Sequence, residues 1–377
     1  MTEALESKPV NVDFEGAIGR LSNATASPRK IARDTQREKT SAAVDILDIR
    51  AGGVPTDLAP AIRQGLAKPD ARGLRYMPSL LLWDEQGLKA FEEVTYSPQY
   101  YLTNAEINVL ENHSRAIADR IKPGSIVLEL GSGALRKIRI LLKALDDQGK
   151  SVDYYALDLD RNELVRTLSQ IKPGTFKHVR CHGLLGTYED GRTWLSKSVN
   201  TWRPRCVLSL GSTMGSFTHS EAREFWQAWS NTLERSSEGA QIIVGLDGCK
   251  DEAKVFGAYN DREGANWRFV MNSLDHANRQ LGYRAFNCVD WTVKGQWEAQ
   301  EGRHTQYLVS TKEVDFEGTH LKKGEKIFVV HSHKWDESER RWLWQESNLR
   351  EEKTFASRGQ KYYGMPELSW ALADHRY

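Results

Sequence analysis

The stretch Ser125–Leu164, SIVLELGSGALRKIRILLKALDDQGKSVDYYALDLDRNEL, constrains the fold more than any other part of the chain. Ile126–Leu130 is a short, largely apolar run of the kind that a strand buried on both faces shows. It stops at Gly131, Ser132 and Gly133, where the backbone can turn tightly. Leu135, Ile138, Leu141, Leu142 and Leu145 then recur at helical spacing, which leaves Arg136, Lys137 and Arg139 for the wet side. Val152–Leu157 is the next strand. It ends on Asp158 and Asp160, at the edge where open α/β sheets bind ligands.

A glycine turn between strand and helix brings backbone N–H groups close to a ligand, and an acid ending the following strand can hold two ribose hydroxyls. That combination describes a nucleoside site. G-S-G lacks the third glycine of the dinucleotide fingerprint, and no segment matches the phosphate loop with its Gly-Lys-Ser/Thr ending. S-adenosylmethionine suits such a turn better than a dinucleotide does, and E-L-G-S-G with a downstream acid is a form that class I methyltransferases carry. The competing reading is a turn that only packs helix on strand.

The chain of 377 residues is long enough for two lobes. Its 52 basic and 51 acidic residues leave a net charge of +1, so nothing calls for a nucleic acid or an anionic membrane as partner. A small-molecule substrate and a monomer are expected. Cys181, Cys206, Cys249 and Cys288 are spread out with no C-x-x-C spacing, so no metal site and no disulfide framework is indicated. The N-terminus has no apolar run of signal-peptide length, and the reading is cytoplasmic. Residues 1–43, without apolar periodicity, read as a flexible tail. Twelve Trp and thirteen Tyr can line an aromatic pocket or simply fill cores.

The rest of the chain is read in order. DILDIR, after Val44, is a short strand and Leu58–Leu66 a short helix; LLLWDEQG leads into a helix over Leu88–Val94. Tyr96–Thr103 reads as an aromatic loop, followed by a helix Asn104–Arg120 with Asn104 as N-cap. Cys206–Leu210 is a third buried strand. Its polar turn brings Gly211, Ser212, Thr213 and Ser216 to the same sheet edge, ahead of a helix Ser220–Leu233. Gln241–Leu246 is a fourth strand, ending at Asp247. AKVFGAYNDREGANWRFVMNSLDHANRQLG then predicts a helical pair, while HTQYLVST and EKIFVVHSHKW alternate like strands.

Taken together, LLLWDEQGLKAFEEVTYSPQYYLTNAEINVLE, VLELGSGALRKIRILL, YYALDLD, CHGLLGTYEDG, VLSLGSTMGSFT, GLDGCKD, AYND and EGRH, in this order, resemble the histidine-specific αN-methyltransferase family of ergothioneine biosynthesis. The likeness is to its fungal branch, whose stand-alone members act on tryptophan or prenylated tryptophan. The resemblance implies an α/β fold: a class I methyltransferase Rossmann-like sheet with an inserted α+β substrate-binding lobe. It divides the chain into residues 44–115 and 250–345 for the substrate and 116–249 and 346–377 for S-adenosylmethionine. It places Gly131, Ser132, Gly133 and Lys137 along the methionine and ribose portions of the cofactor, Asp158 on the ribose, and Gly183 and Leu184 beside adenine. Without the resemblance, Lys137 would read as a solvated helix residue.

For the substrate, the family holds the carboxylate through a Tyr in A-Y-[DN]-D, here Tyr259, and an Asn in G-S-T-x-G-N, where this chain has Ser216. Serine is shorter and offers one donor, so carboxylate binding should be weaker or shifted. Gly211 begins this turn, beside the methyl group's expected position. Tyr100 matches the family's ring-stacking tyrosine, and Trp83 stands where a Tyr precedes D-x-x-G. Tyr100 and Tyr259 are the residues expected to touch the reacting amino acid; packing alone is the other reading for all three aromatics. Gln306 either meets a polar ring atom or is solvated. Histidine-specific members carry a Glu two residues before the serine that matches Ser332; here that position is Val330. Losing an acid that a buried ring N–H needs costs about 1–3 kcal/mol for histidine and nothing comparable for a larger apolar ring.

The expected activity is therefore αN-methylation of an aromatic amino acid, tryptophan or a derivative first, in one or more rounds. The alternatives are histidine as substrate and a catalytically inactive paralogue that only binds. His331 and His333 read as a surface or hydrogen-bonded pair.

Overall fold

The computed structural model describes residues 44–51, 57–70, 72–234, 239–357 and 368–375; the expected tail at 1–43 lies outside them. Its strands are β1 (Ile46–Asp48), β2 (Arg75–Tyr76), β3 (Ile126–Leu130), β4 (Val152–Asp158), β5 (Val179–Leu185), β6 (Arg205–Ser209) and β7 (Ala240–Asp247). After them come β8 (Trp291–Glu298), β9 (Arg303–Ser310), β10 (Val314–Phe316), β11 (Thr319–Leu321), β12 (Lys326–His333), β13 (Leu349–Ala356) and β14 (Leu368–His375).

Every residue of β3 is buried, as a strand covered by helices on both faces requires. Around it forms one sheet in the order β1-β5-β4-β3-β6-β7-β14-β13. β1 and β3 to β7 are parallel, whereas β14 runs antiparallel to β7, and β13 to β14. The chain moves outward from β3 through β4 to β5, then returns to lay β6 on the other side of β3. This reversal opens a crevice at the C-terminal ends of β3 and β6, the ligand position of doubly wound sheets.

Helices Tyr101–Arg120, Ile138–Asp147 and Arg161–Leu168 cover one face, burying Val109, Leu110, Leu141, Leu142 and Leu164. Helices Tyr188–Leu195, His219–Leu233 and Glu337–Glu346 cover the other, where Trp194, Trp226, Trp229 and Trp344 fill the core. A second sheet, β2-β12-β9-β8, is antiparallel except that β2 runs parallel to β12. Arg75 opposite Ile327 thus joins the N-terminal segment to the long excursion after β7. Helices Ala59–Ala67, Glu85–Tyr96 and Ala265–Leu281 share this sheet's core through Ile62, Leu66, Val94, Phe269, Val270 and Leu308.

Several boundaries differ from the sequence reading. The Asp84 carboxylate accepts from Gly87 N–H at 2.8 Å, so the helix starts at Glu85 rather than Leu88. The expected aromatic loop at 96–103 shrinks, because the next helix begins at Tyr101. Asn104 lies inside that helix and is not its N-cap; burial of Tyr100, Leu102 and Thr103, with no side-chain cap, fixes the start. β5 was not foreseen, since VRCHGLL interrupts its apolar residues with Arg180 and His182. Helix Tyr101–Arg120 also runs unbroken across residues 115 and 116. Among the described residues, no helix is long and apolar enough to cross a membrane.

Candidate active site

At the end of β3, Gly131 and Gly133 adopt φ of +68° and +48°, values open to glycine. The N–H groups of Gly131 and Ser132 both donate to the Leu157 carbonyl, at 3.0 and 3.2 Å, which ties the turn to the end of β4. A Cβ on Gly131 would lie 2.9 Å from the Tyr188 hydroxyl oxygen. Asp158 accepts from Gly133 N–H at 3.4 Å and from Leu159 N–H at 2.8 Å. Burial pushes its carboxyl up to about 6, and these amides limit the rise. Below the turn, burial pushes Glu129 up to about 8 although the Tyr154 hydroxyl donates to it.

Lys137 occupies the N-cap position of helix Ile138–Asp147 and is ion-paired with Glu106, itself 1% exposed. The other Glu106 oxygen accepts from Gly211 N–H at 2.6 Å. Glu106 therefore clips together the two loops that flank the crevice, and Lys137 is not a solvated helix residue. Gly183 and Leu184 lie within the sheet rather than at its edge. Gly183 pairs with Ala156 inside the sheet and faces Ile46 and Leu168, while the Leu184 side chain is fully buried in the core. The strand reaches the crevice edge only at Leu185 and Gly186, whose N–H donates to the Asp158 carbonyl at 3.0 Å.

Across the crevice, three elements, β7, the helix Glu252–Tyr259 and β12, meet at one buried cation. Lys334, directly after β12, has a fully buried side chain and donates to Asp247 at 2.7 Å, the Tyr259 hydroxyl at 2.9 Å and the Ser332 hydroxyl at 3.1 Å. Burial alone would lower its pKa, but the Asp247 carboxylate and Tyr259 lift it above the ordinary lysine value. Asp247 ends β7 and also accepts from the Tyr101 hydroxyl at 2.6 Å and Cys249 N–H at 2.9 Å. Tyr259 and Ser332 hydroxyls lie 2.7 Å apart. Sequence reasoning reached Tyr259 and Ser332 but missed Lys334, Glu106 and Tyr101. The one legible signal was Asp247, an acid at the C-terminal end of a strand.

Aromatic rings wall the same region. Tyr100 meets Tyr259 edge-on at 5.8 Å and Phe91 at 6.1 Å; Trp83 contacts Phe91 and Phe269, each at 5.2 Å. Tyr259 stacks on His304 at 4.8 Å. Burial raises the Tyr100 and Tyr101 phenols well above their usual range and lowers His304 to about 3, so all three are neutral at pH 7. On β12, Val330 stands in register with Gln306 of β9. Gln306 is buried, not solvated, and exchanges amide hydrogen bonds with Asn266 at 3.1 and 3.3 Å.

Ser216 closes a short helical turn, and its hydroxyl donates to its own Thr213 carbonyl at 2.8 Å. That bond occupies the one donor that a carboxylate would use. His331 and His333 point to the opposite face of β12 and are buried, not at the surface. They lie 4.7 Å apart edge-on, with His219 5.1 Å from His333. Burial lowers both, to about 3 and about 2, so His331 and His333 are neutral at pH 7. Among the described residues no His, Cys, Asp or Glu group suits a metal ion.

A parallel sheet with its switch point beside a glycine turn, and an acid ending the next strand, define a class I S-adenosylmethionine-dependent methyltransferase. The structure fits that cofactor: two positive-φ glycines, a cradle that a Cβ would fill, and a buried acid at the crevice edge. Residues 58–365 match the family described as histidine-specific methyltransferase, SAM-dependent, and the chain belongs to it. It is 40% identical over 335 residues to ergothioneine biosynthesis protein 1 of Neurospora crassa, which covers 88% of this chain but only 37% of that protein. It is 33% identical to the N-methyltransferase fsqC of Aspergillus fumigatus, over 78% of each chain. Against the 4-dimethylallyltryptophan N-methyltransferase easF of A. fumigatus the identity is 31%, over 82% of this chain and 93% of the relative.

Proposed function

We propose that this enzyme methylates the α-amine of an aromatic amino acid, tryptophan or a tryptophan derivative first. The observation that carries this is Val330. An apolar side chain beside the mutually bonded Gln306–Asn266 amides offers no charged partner to an imidazole. An indole, alone or prenylated, needs none, and the relative named for 4-dimethylallyltryptophan supports that side. The histidine reading draws on the family description and on Ser332.

S-adenosylmethionine, when bound, supplies an electrophilic methyl group on its sulfonium. In this reading Gly131, Ser132, Gly133 and Lys137 hold its methionine and ribose portions, Asp158 accepts from the ribose hydroxyls, and Gly183–Leu184 back the adenine side through Leu185 and Gly186. Tyr259 binds the substrate carboxylate, with Ser216 contributing only if it releases Thr213. Tyr100, Trp83 and Val330 shape the ring pocket, while Gly211 lies under the amine. Tyr100 and Tyr101 stay protonated, so neither serves as a base. Catalysis comes from holding a neutral amine in line and dry, which is what aromatic walls supply. The substrate lobe comprises 44–115 and 250–345 and the cofactor part 116–249 and 346–377. The enzyme is read as a monomer, and four unpaired cysteines suit a cytoplasmic setting.

The test is methyl transfer to histidine, tryptophan, tyrosine and 4-dimethylallyltryptophan in parallel, with products identified by mass. An indole substrate should lead. Histidine in the lead overturns the reading of the pocket, and cofactor binding without any turnover indicates an inactive paralogue.

A further inference from the structure

The Lys334 ammonium has three N–H donors and three partners, Asp247, Tyr259 and Ser332, so none is left for a ligand. Its effect on a ligand passes through the two hydroxyls. Each hydroxyl has one donor and two acceptor lone pairs, and Lys334 fills one lone pair on each. The 2.7 Å bond between Tyr259 and Ser332 uses one hydrogen and one further lone pair. Once a ligand displaces the Tyr100 hydroxyl, which also bonds Tyr259, what remains is one donor and one acceptor, always on different residues. If Ser332 donates to Tyr259, Tyr259 presents its O–H and Ser332 a lone pair. If Tyr259 donates, the roles reverse.

We infer that Lys334 turns Tyr259 and Ser332 into a two-position switch, in which a carboxylate at Tyr259 makes Ser332 an acceptor and so selects amino acids whose ring carries an N–H. The inference rests on the proposed reading that Tyr259 meets the carboxylate, and it adds that Ser332, on the same face of β12 as Val330, meets the ring. A carboxylate can only accept, so it fixes Tyr259 as donor. Ser332 must then donate to Tyr259 and keeps one lone pair for a ring N–H. Lys334 is a positioning residue here. Without it, Ser332 would hold a free lone pair in either direction, and the carboxylate end and the ring end would be recognised independently.

The experiment is a binding cycle by calorimetry on the whole protein with S-adenosylhomocysteine present. The four ligands are tryptophan, tryptamine, 3-benzothienylalanine and 2-(benzothiophen-3-yl)ethylamine, which remove the carboxylate, the ring N–H, or both. In the native protein the carboxylate should enlarge the preference for N–H over sulfur by about three- to tenfold, the size of one hydrogen bond's orientation. In Lys334→Met combined with Asp247→Asn, which removes the ion pair without stranding a charge, that coupling should fall to a factor of one. Tryptophan binding with no native coupling overturns the inference and leaves the proposed function standing. Coupling that persists in the double variant overturns the role of Lys334. The native cycle decides alone if the double variant fails to fold. If tryptophan does not bind and histidine does, the substrate reading fails, and the same criterion applies to histidine, histamine, 3-thienylalanine and 2-(thiophen-3-yl)ethylamine.

Discussion

Val330→Glu should convert the ring pocket from indole to imidazole preference. Val330 is half-buried on the same face of β12 as Ser332 and stands opposite Gln306. The ammonium of Lys334 is already held by Asp247, Tyr259 and Ser332. A hydrogen bond from an imidazole N–H to the introduced carboxylate is worth about 1.5–3 kcal/mol, or roughly 10- to 150-fold in kcat/KM for histidine. Against an indole ring with its benzo edge on the acid, the same group is desolvated without compensation, at a cost of about 1–3 kcal/mol. The two effects together move the histidine-to-tryptophan ratio by roughly 10²–10⁴. Equal concentrations of both amino acids in one reaction, with methylated products counted by mass, give that ratio directly. A ratio within threefold of the parent's would refute the assignment of residue 330 to the ring end of the pocket.

Asp247→Asn leaves the Lys334 ammonium fully buried without a counter-charge, which should cost about 3–5 kcal/mol in thermal or denaturant unfolding. Asp247→Leu with Lys334→Met should restore most of it; a single-variant loss under about 1 kcal/mol would show that the pair is not desolvated. The Asp158 carboxyl, raised to about 6, must ionise to accept from a ribose. S-adenosylhomocysteine affinity should therefore weaken as pH falls through 6, by up to tenfold per unit, and Asp158→Asn should remove that dependence. In the unliganded protein the sign is opposite: the stability contributed by the raised pKa is complete below about 4 and lost as pH rises through 6. Gly131→Ala places a Cβ 2.9 Å from the Tyr188 hydroxyl at a φ of +68°, so cofactor binding measured by calorimetry should fall at least tenfold while Gly124→Ala, with open space around it, changes it little.

The parallel half of the large sheet was legible because β3, β4, β6 and β7 are short apolar runs ending in polar turns. β5 was not, because its middle residues are half-exposed and its apolar residues do not run together. At the site, Gly131, Gly133 and Asp158 could be read from backbone logic alone, since a turn and a strand end are local features. Lys334, Glu106 and Tyr101 could not. Each acts through a partner 31 to 146 positions away, and an isolated Lys, Glu or Tyr on a helix or strand carries no local mark of such a pairing. Their burial is decided by tertiary packing, which periodicity does not see. Gln306 and His331 show the same limit in reverse: polar residues on an alternating strand look solvated, yet both are buried.

The excursion that carries the second sheet leaves the large sheet at Asp247 and comes back at Lys334 and Trp335, 87 positions later for the lysine. Its two ends touch, through the Lys334–Asp247 pair and through Trp335 N–H donating to the Asp247 carbonyl at 2.6 Å. Closing a loop of that length costs about 4 kcal/mol beyond a constant, and doubling its length would add only about 0.6 kcal/mol. The junction, together with the β2–β12 pairing and the core shared with the N-terminal helices, holds the excursion in place. The β10–β11 hairpin forms a two-stranded sheet of its own, so a change of length at its turn adds little closure cost.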